Sequence, residues 1–199
     1  MQAEARLERR DVVARMLANR DDLLVVTGLG STTYDCAAAG DHPLNFYLWG
    51  AMGSAATVGL GLALAQPRRR VLIVTGDGEI LMGLGALATI AVKRPGNLAI
   101  AVIDNEHYGE TGMQRTHTSA GVDLAGLAHA SGFRETTTVR TESELDDGVK
   151  MLRDAPGPVL VVVKVSCTRE SVVLPPWDGS FLKSRFRQAL LDAKSTDRG

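Results

Sequence analysis

Val71-Leu72-Ile73-Val74-Thr75 runs without a break into Gly76-Asp77-Gly78, and 28 positions after Asp77 a second run, Leu98-Ala99-Ile100-Ala101-Val102-Ile103-Asp104, ends in Asn105. Short, continuously apolar runs mark strands buried on both faces of a parallel sheet. The segment between them, from about Glu79 to Val92, has helical length and stops before the turn Arg94-Pro95-Gly96. Two strands in a strand–helix–strand unit end at the same sheet edge. Each here delivers one hard oxygen ligand to that edge: the Asp77 carboxylate and the Asn105 amide oxygen.

The rest of the chain repeats this alternation. Leu7 to Leu17 carries apolar residues among charges, as an amphipathic helix does, and Leu23 to Val26 reads as a buried strand opening into the turn Thr27-Gly28-Leu29-Gly30-Ser31. Met52 to Ala65 reads as a helix whose glycines, Gly53, Gly59 and Gly61, let it pack closely on a neighbour. After Asn105 a polar loop is expected to about Gly121, then helix 123–131, strand 133–138, helix 142–154 and strand 159–165. Thr141 with Glu144 three positions on is a capping-box pattern. The fold class is therefore α/β: a single doubly wound domain, its parallel sheet covered by helices on both faces. The expected division is an N-terminal helix (1–20), the main domain (21–166) and a tail (167–199) with a short helix from Ser180 to Lys194.

Composition narrows the function. Net charge is −1 over 199 residues, which argues against a nucleic-acid partner. Arg68-Arg69-Arg70 reads as a solvated turn. Two cysteines, Cys36 and Cys167, do not make a disulfide scaffold, and no stretch approaches the roughly 20 apolar residues of a membrane span. The expectation is a cytoplasmic protein with no membrane partner.

In open parallel sheets, ligands bind outside the carboxyl ends of the strands, near a switch in strand order. Gly28 to Ser31, Gly76 to Gly78 and Asn105 to Gly109 all lie at such ends. Magnesium takes oxygen ligands in an octahedron and is commonly shared between one or two protein oxygens and a phosphate. Asp77, Asn105 and a backbone carbonyl in Glu106-His107-Tyr108-Gly109 could supply three. Gly78 and Glu79 stand where a helix begins and their N–H groups can face an anion. The chain has neither Gly-x-Gly-x-x-Gly nor a lysine-bearing phosphate loop, which weighs against NAD and ATP.

Gly76-Asp77-Gly78, with the spacing to Asn105, resembles the cofactor motif of thiamine diphosphate-dependent enzymes. Trp49-Gly50-Ala51-Met52-Gly53-Ser54-Ala55 and Gly59-Leu60-Gly61-Leu62-Ala63 are similar to that family's second signature. The resemblance spans about residues 20 to 165 and is nearest to the diphosphate-binding, beta-type part of sulfopyruvate and phosphonopyruvate decarboxylases. It implies thiamine diphosphate with Mg2+ as cofactors. It implies Asp77, Asn105 and the His107 carbonyl as magnesium ligands, and Gly78, Glu79, Gly30 and Ser31 as diphosphate contacts, with Gly76, Tyr108 and Gly109 completing the cofactor site. The Gly50 carbonyl would accept from the exocyclic nitrogen of the aminopyrimidine, and Met52 would wedge between the two rings to enforce their bend. Tyr108 and His117 could reach the reacting centre, with His117 as a proton shuttle or a plain surface residue. Glu110 takes the place of a small residue and would repel a sulfonate or phosphonate if it faced the pocket. Trp177 is expected to pack the tail or a subunit contact.

Family enzymes also use a glutamate from a second, pyrimidine-binding domain, and no glutamate of this chain sits in that context. The resemblance therefore implies the diphosphate-binding subunit of a split 2-oxo acid decarboxylase, with possible carboligation. A separate alpha subunit would carry the pyrimidine-binding domain in a heterotetramer, and the substrate would be a small 2-oxo acid. Two alternatives stay open: half of a thiamine-dependent 2-oxo acid oxidoreductase, and a non-catalytic Rossmann-like nucleotide-binding module.

Overall fold

A computed structural model describes residues 7–196, with side chains to 192. Six strands form one sheet: β1 (Leu24–Thr27), β2 (Asn45–Tyr47), β3 (Val71–Gly76), β4 (Leu98–Asp104), β7 (Glu135–Val139) and β8 (Val159–Lys164). Two short strands between them, β5 (His107–Tyr108) and β6 (Gln114–Arg115), make a separate antiparallel hairpin. The sheet order is β2-β1-β3-β4-β8-β7, and every pairing is parallel. After β2 the chain returns to the other side of β1, so the order switches between β1 and β3. The carboxyl ends of those two strands open a crevice there.

The apolar strands bury both faces, as their runs require. One layer holds α3 (Ala55–Ala65), α4 (Asp77–Met82), α5 (Gly85–Lys93) and α6 (Leu124–Ser131), packed on Leu24, Val26, Ile73, Ile100 and Val162. The opposite layer holds α1 (Arg9–Leu17), α2 (Ser31–Ala38) and α7 (Glu142–Asp154), packed on Val25, Leu72, Val74, Ala101 and Val161. Alternate residues of one strand thus feed opposite cores. The last helix, α8 (Gly179–Thr196), lies over the β2 edge, where Phe186 meets Phe46 at 5.3 Å between ring centroids. Among the described residues no helix is long and apolar enough to cross a membrane.

Four sequence readings need correction. The helix expected from Glu79 to Val92 is two helices, α4 and α5. The break has a packing cause: a Cβ on Gly83 would lie 2.0 Å from the Gly53 carbonyl oxygen, so the two backbones touch where a side chain would separate them. The helix expected from Met52 starts at Ala55, because Ala51 and Gly53 both have positive φ (55° and 93°) and form a turn. Of its glycines, Gly59 does admit a close neighbour, Ile73, whereas Gly61 faces open space. Finally, Arg70 is not solvated. Its guanidinium donates to the carbonyls of Met151, Leu152 and Ala155, satisfying the last turn of α7. The capping box at the other end of α7 is present, with the Glu144 carboxylate accepting from the Thr141 N–H at 3.0 Å. Strand β2, helix α2 and the β5–β6 hairpin, which lies in the expected polar loop, have no counterpart in the sequence reading.

Candidate functional site

The crevice at the switch point is a cavity of about 420 Å3, within the size of small-molecule sites. Its wall is built from the carboxyl ends of three neighbouring strands. From β1 come Leu29, Ser31 and Thr32, from β3 Gly76, Asp77, Gly78 and Glu79, and from β4 Asn105, His107, Tyr108, Gly109 and Glu110. Met52 and Met82 close one side. Asp77 and Asn105 do meet in one cavity. Of the other residues singled out, Gly30, Gly50 and His117 are not in its wall. Gly50 and His117 are exposed, His117 opening a 3-10 turn between buried Thr116 and Thr118.

Asp77 is 2% exposed and lies beside Asp104, because the register pairs Gly76 with Ile103. Its Oδ2 accepts hydrogen bonds from the Thr116 and Thr118 hydroxyls, while Thr118 also donates to Asp104 at 2.8 Å. Burial, and then the Asp104 charge, push the Asp77 carboxyl up to about 6. Asp104 is itself held by the Lys164 ammonium at 2.7 Å, with Glu106 on the same cation at 3.1 Å. Two buried carboxylates sharing a hydroxyl favour a cation beside Asp77. Among the described residues no group of three or more His, Cys, Asp or Glu forms a metal cluster. A metal here would instead use mixed oxygens: carboxylate, amide and carbonyl.

Beyond β4 the chain makes a tight, strained turn. Glu106 has φ 65°; the His107 N–H donates to Asn105 Oδ1 at 2.9 Å, and the His107 ring bonds the Asn105 carbonyl at 2.8 Å. The Asn105 amide is thereby fixed, and its oxygen keeps a second lone pair for another partner. The same turn lays Tyr108 across α4, where a Cβ on Gly78 would fall 2.4 Å from the ring. Met52 is presented by the Ala51–Gly53 turn described above.

Glu79 is the buried centre of the site's framework. Thr75 donates to its Oε2 at 2.8 Å, that oxygen fills the space beside Gly28, and the N–H groups of Ala55, Gly53 and Leu29 face the carboxylate. Burial pushes its carboxyl above the ordinary range against the pull of these donors. Among the described residues its Oε1 lacks a partner at hydrogen-bond geometry. One side chain thus ties together three of the loops that shape the cavity.

Glu110, suspected of facing the pocket, does line it and folds over Gly30. Trp177 packs the tail as expected: it stacks on Trp49 at 5.0 Å and 4°, and the Trp49 indole N–H donates to the Pro176 carbonyl. Sequence alone did not single out Thr116, Thr118, Asp104 or Arg9. The threonines carried a weak signal in the alternation Thr116-His117-Thr118. Arg9 carried none, as its neighbours Glu8 and Arg10 make it look like part of a solvated helix start.

Residues 28–163 match the family described as thiamine pyrophosphate enzyme, C-terminal TPP binding domain. The chain is 37% identical over 180 residues to sulfopyruvate decarboxylase subunit beta of Methanothermobacter thermautotrophicus, covering 90% of this chain and 94% of that one. It is 43% identical over 158 residues to phosphonopyruvate decarboxylase of Streptomyces viridochromogenes, covering 79% of this chain but only 39% of that longer protein. Benzoylformate decarboxylase from Polynucleobacter necessarius shares the fold, with a TM-score of 0.66 over 83% of this chain and 33% of its own, at 19% identity. With the match running from the end of β1 to the end of β8, through every strand end that lines the cavity, the chain belongs to the thiamine pyrophosphate enzyme family by way of its TPP-binding domain.

Proposed function

We propose that this chain is the beta-type, diphosphate-binding subunit of a split thiamine diphosphate-dependent 2-oxo acid decarboxylase. The observation that carries the reading is the meeting of Asp77 and Asn105 in one cavity at the switch point, in a chain that aligns with 94% of a decarboxylase beta subunit. The cavity wall fits the cofactor on its own chemistry. Asp77 beside Asp104 calls for a cation, Gly78 lies in the wall next to Asp77 with no side chain of its own to fill the space, and the volume suits a ligand of this size.

In this reading Asp77, Asn105 and the His107 carbonyl hold Mg2+, and Gly78, Glu79 and Ser31 meet the diphosphate through N–H and hydroxyl groups. Bound thiamine diphosphate supplies a carbon nucleophile and an electron sink for loss of carbon dioxide from a 2-oxo acid. This chain's residues bind and orient: Thr116 and Thr118 fix the Asp77 carboxylate, His107 fixes Asn105, and the Ala51–Gly53 turn would present Met52 to the cofactor. The Gly50 carbonyl would accept from the aminopyrimidine, and Tyr108 would border the reacting centre. The glutamate that protonates the aminopyrimidine would come from an alpha subunit carrying the pyrimidine-binding domain, in a heterotetramer. Similarity to decarboxylase beta subunits of nearly the same length supports this division.

The test is reconstitution. The chain alone, with thiamine diphosphate and Mg2+, should release no carbon dioxide from 2-oxo acids. Mixed with a partner bearing a pyrimidine-binding domain, encoded beside it or co-purified with it, it should. Turnover by the chain alone would overturn the split-enzyme reading.

A further inference from the structure

Arg9 opens α1, far in sequence from every cofactor motif, yet it lines the cavity alongside Ser31, Asp77, Gly78 and Asn105. It is only 8% exposed. Its Nε donates to Asp35 Oδ2 at 2.6 Å, and Asp35, on α2, is completely buried. Arg10 occupies the other oxygen of Asp35 at 3.3 Å and is itself tied to the Ser171 carbonyl. The Asp35 carboxylate thus has two guanidinium partners and requires only one nitrogen from Arg9. Among the described residues Nη1 and Nη2 of Arg9 have no hydrogen-bond partner, and neither is sealed in the interior. A planar guanidinium pinned through Nε and open at both Nη atoms is a fork preset for an oxyanion.

The charge around it gives the fork a purpose. Asp77, Glu79 and Glu110 all line the cavity, and among the described residues Arg9 is the one Arg or Lys in its wall. A diphosphate placed there meets the carboxyl groups of Asp77 and Glu110, with that of Glu79 buried behind the wall. One divalent metal offsets part of that repulsion, and Arg9 is the protein cation placed to offset more. A second cavity of about 350 Å3 adjoins, sharing Arg9, Ser31, Asn105, Gly109 and Glu110 with the first. An acid group of the substrate could offer the same oxyanion chemistry from that side. The cofactor side is favoured because Gly76, Asp77 and Gly78, the metal and diphosphate loop in this reading, line the first cavity with Arg9 and do not line the second.

We propose that Arg9, pinned by Asp35, binds the terminal phosphate of the cofactor's diphosphate. This rests on the thiamine diphosphate reading of the cavity. Calorimetric titration of the full chain with thiamine diphosphate and with thiamine monophosphate, each with Mg2+, provides the test. In the wild type the diphosphate should bind the more tightly. Arg9→Met leaves Asp35 its Arg10 partner and should weaken the diphosphate by about 10- to 100-fold, the worth of a hydrogen bond to a charged group, while changing the monophosphate little. Arg9→Lys should recover part of the loss. Because a variant can misfold, phenylglyoxal labelling of the wild type gives an independent reading. The peptide carrying Arg9 should be protected by thiamine diphosphate and not by thiamine monophosphate. Equal affinities for the diphosphate in wild type and Arg9→Met, or labelling of Arg9 unaffected by it, would overturn the proposal and leave the cofactor site standing. Absence of any thiamine diphosphate binding by the wild type would remove the cofactor site, and Arg9's place in it, together.

Discussion

Replacing Asp77 by asparagine should make the metal-free chain more stable and the cofactor site useless. Asp77 is 2% exposed and Asp104 beside it 1%. Burial first, and repulsion from Asp104 second, raise the Asp77 carboxyl from 3.8 to about 6. That rise corresponds to about 3 kcal/mol of unfavourable free energy for the ionised form, at about 1.4 kcal/mol per tenfold in the proton equilibrium. The folded value lies above the unfolded one. Its contribution to stability is therefore fully present below about pH 4 and is lost as pH rises through about 6. The uncharged amide introduced by Asp77→Asn would still accept from the Thr116 and Thr118 hydroxyls through its carbonyl oxygen. The net gain at pH 8 should be about 1–3 kcal/mol, or about 3–10 °C in Tm for a chain of this size. The assay is thermal unfolding of wild type and Asp77→Asn in EDTA at pH 8 and pH 5. The gain should appear at pH 8 and shrink at pH 5. With Mg2+ and thiamine diphosphate the order should reverse, because only the wild type gains ligand stabilisation. An Asp77→Asn chain that is less stable than wild type in EDTA at pH 8, or equally shifted at both pH values, would refute the electrostatic account of this site.

Three further outcomes follow from particular contacts. Gly78→Ala would set a methyl 2.4 Å from the Tyr108 ring, so the Tyr108 turn must shift; titration should show thiamine diphosphate affinity falling about tenfold or more, with a smaller effect on Tm. Glu79→Ala strips a buried acceptor from the Thr75 hydroxyl and the N–H groups of Gly53 and Ala55, and should cost about 2–4 kcal/mol in urea unfolding. Gly59→Ala puts a Cβ 2.4 Å from Ile73 in the core and should cost about 1–3 kcal/mol in the same assay while leaving cofactor affinity unchanged.

What the sequence disclosed depended on how local the cause was. Strands β1, β3, β4 and β8 were legible because a strand buried on both faces must be apolar at every position. The edge strand β2, Asn45-Phe46-Tyr47, has three residues and no such run. Helix α2, Ser31-Thr32-Thr33-Tyr34-Asp35-Cys36-Ala37-Ala38, is built of weak helix formers and shows little amphipathic pattern. The split between α4 and α5 is set by Gly53, far upstream of Gly83, and no local rule finds it. The site divides in the same way. Asp77 and Asn105 were visible because each ends an apolar strand, so their meeting followed from the fold class. Arg9 reaches the cavity only because α1 packs on α2 and Asp35 directs its guanidinium, both products of tertiary packing.

The central claim, that the crevice between β1 and β3 holds thiamine diphosphate through a magnesium ion, is tested most directly by calorimetric titration of the full chain with that cofactor, with and without Mg2+. The account predicts saturable one-site binding with Mg2+, loss of binding in EDTA, and loss of binding in Asp77→Ala under conditions where that variant is folded. Binding indifferent to both Mg2+ and Asp77, or no binding of thiamine diphosphate beside clear binding of NADH, would contradict it.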